Sequence, residues 1–251
     1  MLAGAAIRRL EELSQNAWPS LQTMALDGWT LRFSAGYTKR ANSVSPLYRG
    51  AIGAERKVSI CEEIYSAKGL DTVFKLTPAS APGSLDGALS KRGYRFVEGA
   101  SVQTVGLGEI ERREQEGVET SEEFSEAWLS AFFEMSEVDP LKRETARQML
   151  LNTVPRRCFA SASVGGRAVA CGLGVAEGGH VGVFDIVTRP GFRRRGLARA
   201  VTLSLLRWGE GMGAETAYLQ VVPDNQPALA LYRGLGFAEG YRYWYRIKGR
   251  T

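Results

Sequence analysis

Arg193-Arg-Arg-Gly-Leu-Ala198 is the stretch of this chain whose residue types and spacing point most directly to chemistry. It lies between an alternating apolar run and an amphipathic one, so it joins a strand to a helix. The first amides of a helix have no intrahelical acceptor and carry the positive end of its dipole, and a glycine at 196 lets the backbone approach a ligand closely. Such a loop binds diphosphate, and arginines beside it add charge-assisted hydrogen bonds to phosphate oxygens. Three adjacent arginines taken alone would describe an ordinary basic loop on a solvated face. The surrounding elements have to decide.

Other chemistries are excluded by what the chain lacks. His180 is its single histidine, which leaves no material for a multi-histidine metal centre and one residue around which any Ser-His-Asp triad would have to be built. Cys61, Cys158 and Cys171 are odd in number and have no C-x-x-C spacing, so they read as reduced, buried thiols and no metal site is expected. Thirty-two Lys and Arg against 27 Asp and Glu give a formal charge of +5, an excess that suits anionic ligands and falls short of a histone-like DNA binder. No apolar run approaches the roughly 18 residues of a membrane span, and Ala5-Ala6-Ile7-Arg8-Arg9-Leu10 is broken by charge, unlike the core of a signal peptide. The expected location is cytoplasmic.

At 251 residues the chain has room for two modest cores. Ile7, Leu10 and Leu13 mark a helical face that stops before Trp18-Pro19, and Trp29 to Phe33 alternates like a half-buried strand. Residues 55–68 look helical and 72–76 extended. Ser84 is placed to cap a short helix ending at Gly93, and a long strand runs from Tyr94 to Leu107. Between Gly108 and Ser121 the sequence becomes rich in Glu and Arg, which sets the expected domains at 1–112 and 118–251.

In the second half, Thr120 and Glu123 have the spacing of a capping box, and Asp139-Pro140 has cap and first-turn proline in the preferred order, so two helices are expected. Strands 156–164 and 167–176 flank Gly165-Gly166, a two-residue turn signal, and a third strand runs from His180 to Thr188. A helix with Leu197, Val201, Leu205 and Trp208 on one face follows, then strand Ala217 to Val222, helix Asp224 to Leu235 and strand Phe237 to Ile247.

In this setting the arginine segment resembles the [Q/R]-x-x-G-x-[G/A] signature of the GNAT superfamily of acyl-CoA-dependent N-acetyltransferases, met by Arg193, Gly196 and Ala198 after the Ile186-Val-Thr-Arg-Pro190 turn. A second block of that family, N-x-x-A-x-x-L-Y followed by L-G-F, is matched by Asn225, Ala228, Leu231, Tyr232, Leu235, Gly236 and Phe237. Two ordered motifs at the right separation are far more specific than either alone. The resemblance covers about residues 120 to 247. It implies an α/β fold with a splayed, mostly antiparallel mixed sheet flanked by helices, and acetyl-CoA as co-substrate without a metal.

The resemblance also assigns roles. Amides and side chains of Arg193, Arg194, Arg195, Gly196, Leu197, Ala198 and Arg199 would hold the CoA pyrophosphate, and the backbone of Ile186, Val187 and Thr188 would pair with the pantetheine arm like an extra strand. Asn225, Ala228 and Tyr232 would line the CoA arm, with Asn225 also counted among the catalytic residues through contact with the reacting amide, or alternatively a plain cap or turn beside Pro227. Tyr232 is the candidate acid for the departing thiolate, with core packing as the other reading. Asp185 is the candidate base for the amine, directly or through water, with Glu215 and Glu239 as weaker choices, and a structural aspartate is the alternative. His180 reads as a turn histidine without a catalytic part.

Ala88 to Gly99 echoes Ala230 to Gly240, a helix ending in Gly and an aromatic before a long strand, so the first half looks like a degenerate second GNAT unit. Leu89 stands there where Tyr232 stands later, and no [Q/R]-x-x-G-x-[G/A] occurs before residue 120. Trp29 to Val44 resembles the N-terminal part of a bacterial two-part subgroup. Arg40, Asn42 and Ser43 offer polar groups to a substrate carboxylate or amide, or form a solvated turn.

The expected function is transfer of an acetyl group from acetyl-CoA to a primary amine by direct attack in a ternary complex. An acyl-CoA-binding sensor without turnover is the alternative, against which Tyr232 argues. Nucleic acid is not an expected partner, because the arginines cluster where CoA should sit and no aromatic stacking array accompanies them. No membrane partner is expected either. The identity of the acceptor, the acyl length and the oligomeric state, a homodimer included, are not legible.

Overall fold

The computed structural model describes residues 2–110 and 117–250, so residues 111–116 of the expected linker lie outside the described residues. Its elements are α1 (Gly4–Ala17), β1 (Gln22–Leu26), β2 (Trp29–Phe33), β3 (Val44–Ser45), α2 (Ala54–Ala67), β4 (Thr72–Leu76), α3 (Leu85–Lys91) and β5 (Arg95–Gly106). Then come β6 (Val118–Ser121), α4 (Glu126–Met135), α5 (Arg143–Leu151), β7 (Arg156–Val164), β8 (Arg167–Glu177), β9 (His180–Thr188), α6 (Leu197–Gly211), β10 (Thr216–Val221), α7 (Gln226–Arg233) and β11 (Ala238–Lys248).

The packing divides the chain into Met1–Ser101 with Gly240–Thr251, and Val102–Glu239. The expected boundaries, 1–112 and 118–251, differ from these units at both ends. β5 runs unbroken through residue 101, and the end of the chain returns to the first unit because β11 pairs antiparallel with β4, Trp244 opposite Leu76 and Lys248 opposite Thr72. Pairing between strands so far apart in sequence leaves no local signal.

In the first unit the strand order is β1-β2-β3-β4-β11-β5. Alternation sends Trp29, Leu31, Phe33, Val44, Phe74 and Leu76 to one face, where Val58, Cys61 and Tyr65 of α2 and Leu85 and Leu89 of α3 close a core. The opposite register positions are polar and nonetheless buried. Lys75 is 5% exposed and pairs with Glu11 of α1 at 2.6 Å, the Tyr241 hydroxyl donates to Glu11 at 2.7 Å, and the ammonium lies 4.1 Å from the centre of the Tyr243 ring.

In the second unit the order is β5-β10-β9-β8-β7-β6. Its core joins Val181 and Val183 of β9, Val201, Leu205 and Leu206 of α6, Leu219 and Val221 of β10, and Tyr232, Leu235 and Phe237. Gly165 and Gly166 have φ of 59° and 76°, the left-handed pair that the hairpin turn requires. Two expectations fail locally. Thr120 does not cap a helix but belongs to β6, pairing with Ala160, and α4 is capped by Ser125, whose hydroxyl accepts from the Trp128 amide. Ser84 sits before α3 but makes no side-chain cap bond.

Both units repeat one topology. β2–β3 antiparallel is followed by β3–β4 parallel across α2, as β8–β9 antiparallel is followed by β9–β10 parallel across α6. The first half is thus a second unit of the same kind, as the Ala88–Gly99 echo suggests.

Candidate functional site

The second unit's sheet opens where β9 leaves β10. Their parallel ladder runs from His180 and Thr216 to Val183 and Leu219 and stops, while β9 continues to Thr188 paired with β8. The cause is a bulge. Cys171 faces Val187 and Leu173 faces Phe184, so Asp185 and Ile186 together oppose Gly172, and Asp185 takes a left-handed φ of 54°. Backbone from Ile186 to Thr188 is thereby released from β10 and half-exposed. The Thr188 hydroxyl is buried and has no hydrogen-bond partner among the described residues.

The arginine segment follows at once. Arg194 and Gly196 are both left-handed, at φ 62° and 79°, which turns the chain sharply into α6. Gly196 holds the N-cap position without a side chain, and no atom lies within 4 Å of where its Cβ would be, so the space ahead of the first turn is open. The Ala200 amide donates to the Gly196 carbonyl, which leaves the amides of Leu197 and Ala198 ahead of it for a ligand. Arg193 Nε donates to the Thr188 carbonyl at 3.2 Å and Arg195 lies over the Phe192 ring, while Arg193, Arg194 and Arg195 are exposed. These features fit a diphosphate-bearing co-substrate.

Tyr232 belongs to the same core cluster against which Ile186, Leu197 and Ala228 pack, so four of the expected site residues meet there. It is 8% exposed, touches Phe237 edge-on at 5.8 Å, and burial alone pushes its phenol up to about 12. Asn225 is placed differently. It is exposed and caps α7, its Oδ1 accepting from the Ala228 amide at 3.2 Å, which leaves its Nδ2 as the group able to reach a ligand. Asp185 lies at the bulge, where its charge helps push the Cys171 thiol up, after burial. Glu215 and Glu239 are exposed, and His180 holds the turn through Nδ1 and the Gly178 carbonyl at 2.9 Å.

Asn42, expected among candidate substrate contacts, instead organises its own loop, accepting from the Ser34 and Gly36 amides at 2.7 and 3.0 Å and donating to the Thr38 carbonyl. Arg40 lies over the Trp18 ring and Ser43 is buried. The first unit's counterpart of the arginine loop is also changed. Residues 46–53 connect β3 to α2 as 189–196 connect β9 to α6, and both end in glycine. There, however, the Asp27 carboxylate takes the Ala51 and Ile52 amides at 2.9 and 2.8 Å, with Lys57 3.3 Å away, and those bonds hold its acid below the usual range. The chain's own anion fills that loop, which the sequence motif did not reveal.

Residues 4–246 match the family described as probable histone acetyltransferase Rv0428c C-terminal. The chain is 28% identical over 247 residues to an uncharacterized N-acetyltransferase, YobR, of Bacillus subtilis strain 168, covering 96% of this chain and 98% of that one. It superposes on a GCN5-related N-acetyltransferase from Kribbella flavida with a TM-score of 0.69 at 16% identity, covering 96% and 95% of the two chains. A tandem GNAT protein from the clavulanic acid biosynthesis pathway gives 0.64 at 14% identity, over 78% of this chain and 70% of that one. Among the described residues no helix is long and apolar enough to cross a membrane. The bulged strand, the open helix start and the repeated topology agree with these matches: the chain belongs to the Rv0428c C-terminal family of GNAT N-acetyltransferases and is an acetyl-transferring enzyme.

Proposed function

We propose that the second unit transfers the acetyl group of acetyl-CoA to a primary amine by direct attack in a ternary complex. The observation that carries this is the end of the β9–β10 ladder at Val183 and Leu219, five residues of β9 short of its end, immediately before an open helix start. The pantetheine amides would pair with Ile186, Val187 and Thr188, and the pyrophosphate would lie on the amides of residues 194 to 199 among the arginines. Ala228 and the Nδ2 of Asn225 would flank the arm.

An uncharged amine attacks the thioester carbonyl, and the backbone amide near Val187 stabilises the oxyanion. The nitrogen sheds its proton to Asp185, directly or through water, and the C–S bond breaks to release the CoA thiolate. Tyr232 remains a neutral phenol well past neutral pH and donates a hydrogen bond to that sulfur. Complete transfer from a phenol near 12 to a thiolate whose conjugate acid is near 8.5 would be uphill by about 5 kcal/mol. Its help is therefore greatest as the C–S bond stretches, and the proton shed by the amine neutralises the thiolate in the end.

Isothermal titration with acetyl-CoA, beside an Arg194→Glu/Gly196→Glu variant, tests the site. A thiol-release screen over amines then tests turnover. Saturable binding lost in the variant is expected; a folded wild-type protein that ignores millimolar acetyl-CoA would overturn the reading. Binding without thiol release across the amines would point to a sensor instead.

A further inference from the structure

We propose that Arg189, held by Glu134, is a positioning residue that sets the direction of the CoA-binding loop. This rests on the acetyl-CoA reading above. Arg189 stands between the two stretches assigned to CoA, Ile186 to Thr188 and Arg193 to Arg199, yet belongs to neither. Three bonds fix it: its amide donates to the Val169 carbonyl at 2.9 Å, its Nε to the Ala168 carbonyl at 3.1 Å, and its Nη2 to Glu134 Oε2 at 2.7 Å. Its side chain is 16% exposed while that of Glu134 is 54% exposed, so the two backbone carbonyl bonds anchor Arg189 and the carboxylate orients its guanidinium from the solvent side.

Glu134 lies in the last turn of α4, on the sheet face away from α6. Gly172 and Gly174 of β8 look toward Val201, Leu205 and Trp208 of α6, whereas Cys171, one residue before Gly172 and so on the other face of the strand, lines a cavity of about 560 Å³ with Ala131 and Glu134 of α4. The Glu134 carboxylate also approaches Arg167 at 3.5 Å. One carboxylate thus ties a helix on one face to the start of β8 and to the residue from which the CoA loop departs. The loop's return is fixed by the bond from Arg193 to the Thr188 carbonyl. Removing the Arg189 anchor leaves Pro190 to Arg195 without that support.

The experiment is titration with acetyl-CoA, together with steady-state kinetics for whichever amine the thiol-release screen returns. Arg189→Gln is expected to weaken acetyl-CoA about tenfold in Kd and KM and leave kcat within about twofold, a cost in range for displacement of a binding loop. Arg189→Lys should recover part of the loss, since an ammonium can reach Glu134 but cannot also serve the Ala168 carbonyl. Glu134→Gln should act in the same direction, and the double variant should be no worse than Arg189→Gln. If wild type binds acetyl-CoA while Arg189→Gln binds it equally well, or loses kcat alone, the positioning role is wrong. Wild type that does not bind at all overturns the underlying reading instead.

Discussion

Gly172 stands opposite the Asp185–Ile186 bulge so closely that a Cβ on it would lie 2.3 Å from Ile186 Cδ1 and 2.9 Å from Val201 Cγ1. A methyl group there would have to displace side chains from both the bulge and the helix behind it. Gly172→Ala should cost about 1–3 kcal/mol by overpacking, since the side-chain ends of Ile186, Val201 and Leu205 must shift, and should weaken acetyl-CoA binding to the extent that Ile186 carries Val187 and Thr188 with it. Urea unfolding and acetyl-CoA titration check the two effects. Lost stability with unchanged affinity would show that the bulge tolerates the shift.

Tyr232→Phe keeps the ring against Phe237 and removes only the hydroxyl, so stability and acetyl-CoA affinity should stay close to wild type. Turnover should fall by about 10²-fold, the scale of one lost hydrogen-bond donor to developing charge. Steady-state kinetics at saturating acetyl-CoA decide it. An unchanged kcat would return Tyr232 to the core as packing alone.

Stability should decline as pH rises above about 9. Burial pushes the thiols of Cys61 and Cys158 and the phenol of Tyr232 up to about 12, from 9.0 and 10.0. Between those limits the unfolded chain has released these protons while the folded chain retains them, so unfolding becomes more favourable with each step of pH. The stabilisation is complete below the unfolded values and lost on the way to the folded ones. Urea midpoints followed from about pH 8 to 11 should fall, and a Cys61→Ala/Cys158→Ala variant should fall less steeply even though it starts lower.

Glu11→Ala should destabilise the first unit by about 3–5 kcal/mol, since it leaves the Lys75 ammonium buried without its carboxylate. Burial already presses the Lys75 pKa down, and Glu11 is the group opposing that. Glu11→Leu/Lys75→Met, which removes both charges, should recover most of the loss in urea unfolding. A double variant as unstable as the single one would mean that the ion pair is not what the site is built around.

What the sequence revealed and what it hid divide along local and non-local lines. The β9–α6–β10–α7 order could be read because Pro190, Gly196, Pro227 and Gly236 punctuate it and Val201 and Leu205 keep helical spacing. β6 was hidden because Val118–Ser121 is a short edge strand exposed along most of its length, with no alternation to announce it. The left-handed Asp185 was hidden because a non-glycine residue gives no sign of positive φ; it follows from the bulge, which needs β8 beside it. Asn225 and Asn42 matched polar positions of the expected site, yet their side-chain oxygens serve the backbone nearby, a use that sequence alone cannot separate from ligand contact.

The pairing of β11 with β4 also orders events during synthesis. A ribosome completes Thr72–Leu76 early, but the strand that satisfies its open edge, and the Tyr241 hydroxyl that completes the bond network at Glu11, arrive only with residues 240–248. The unit that begins first therefore finishes last, exposing an unpaired strand edge while the rest of the chain is made. A nonsense codon after Glu239 would remove no arginine of the CoA loop, yet it would leave the first unit unable to close.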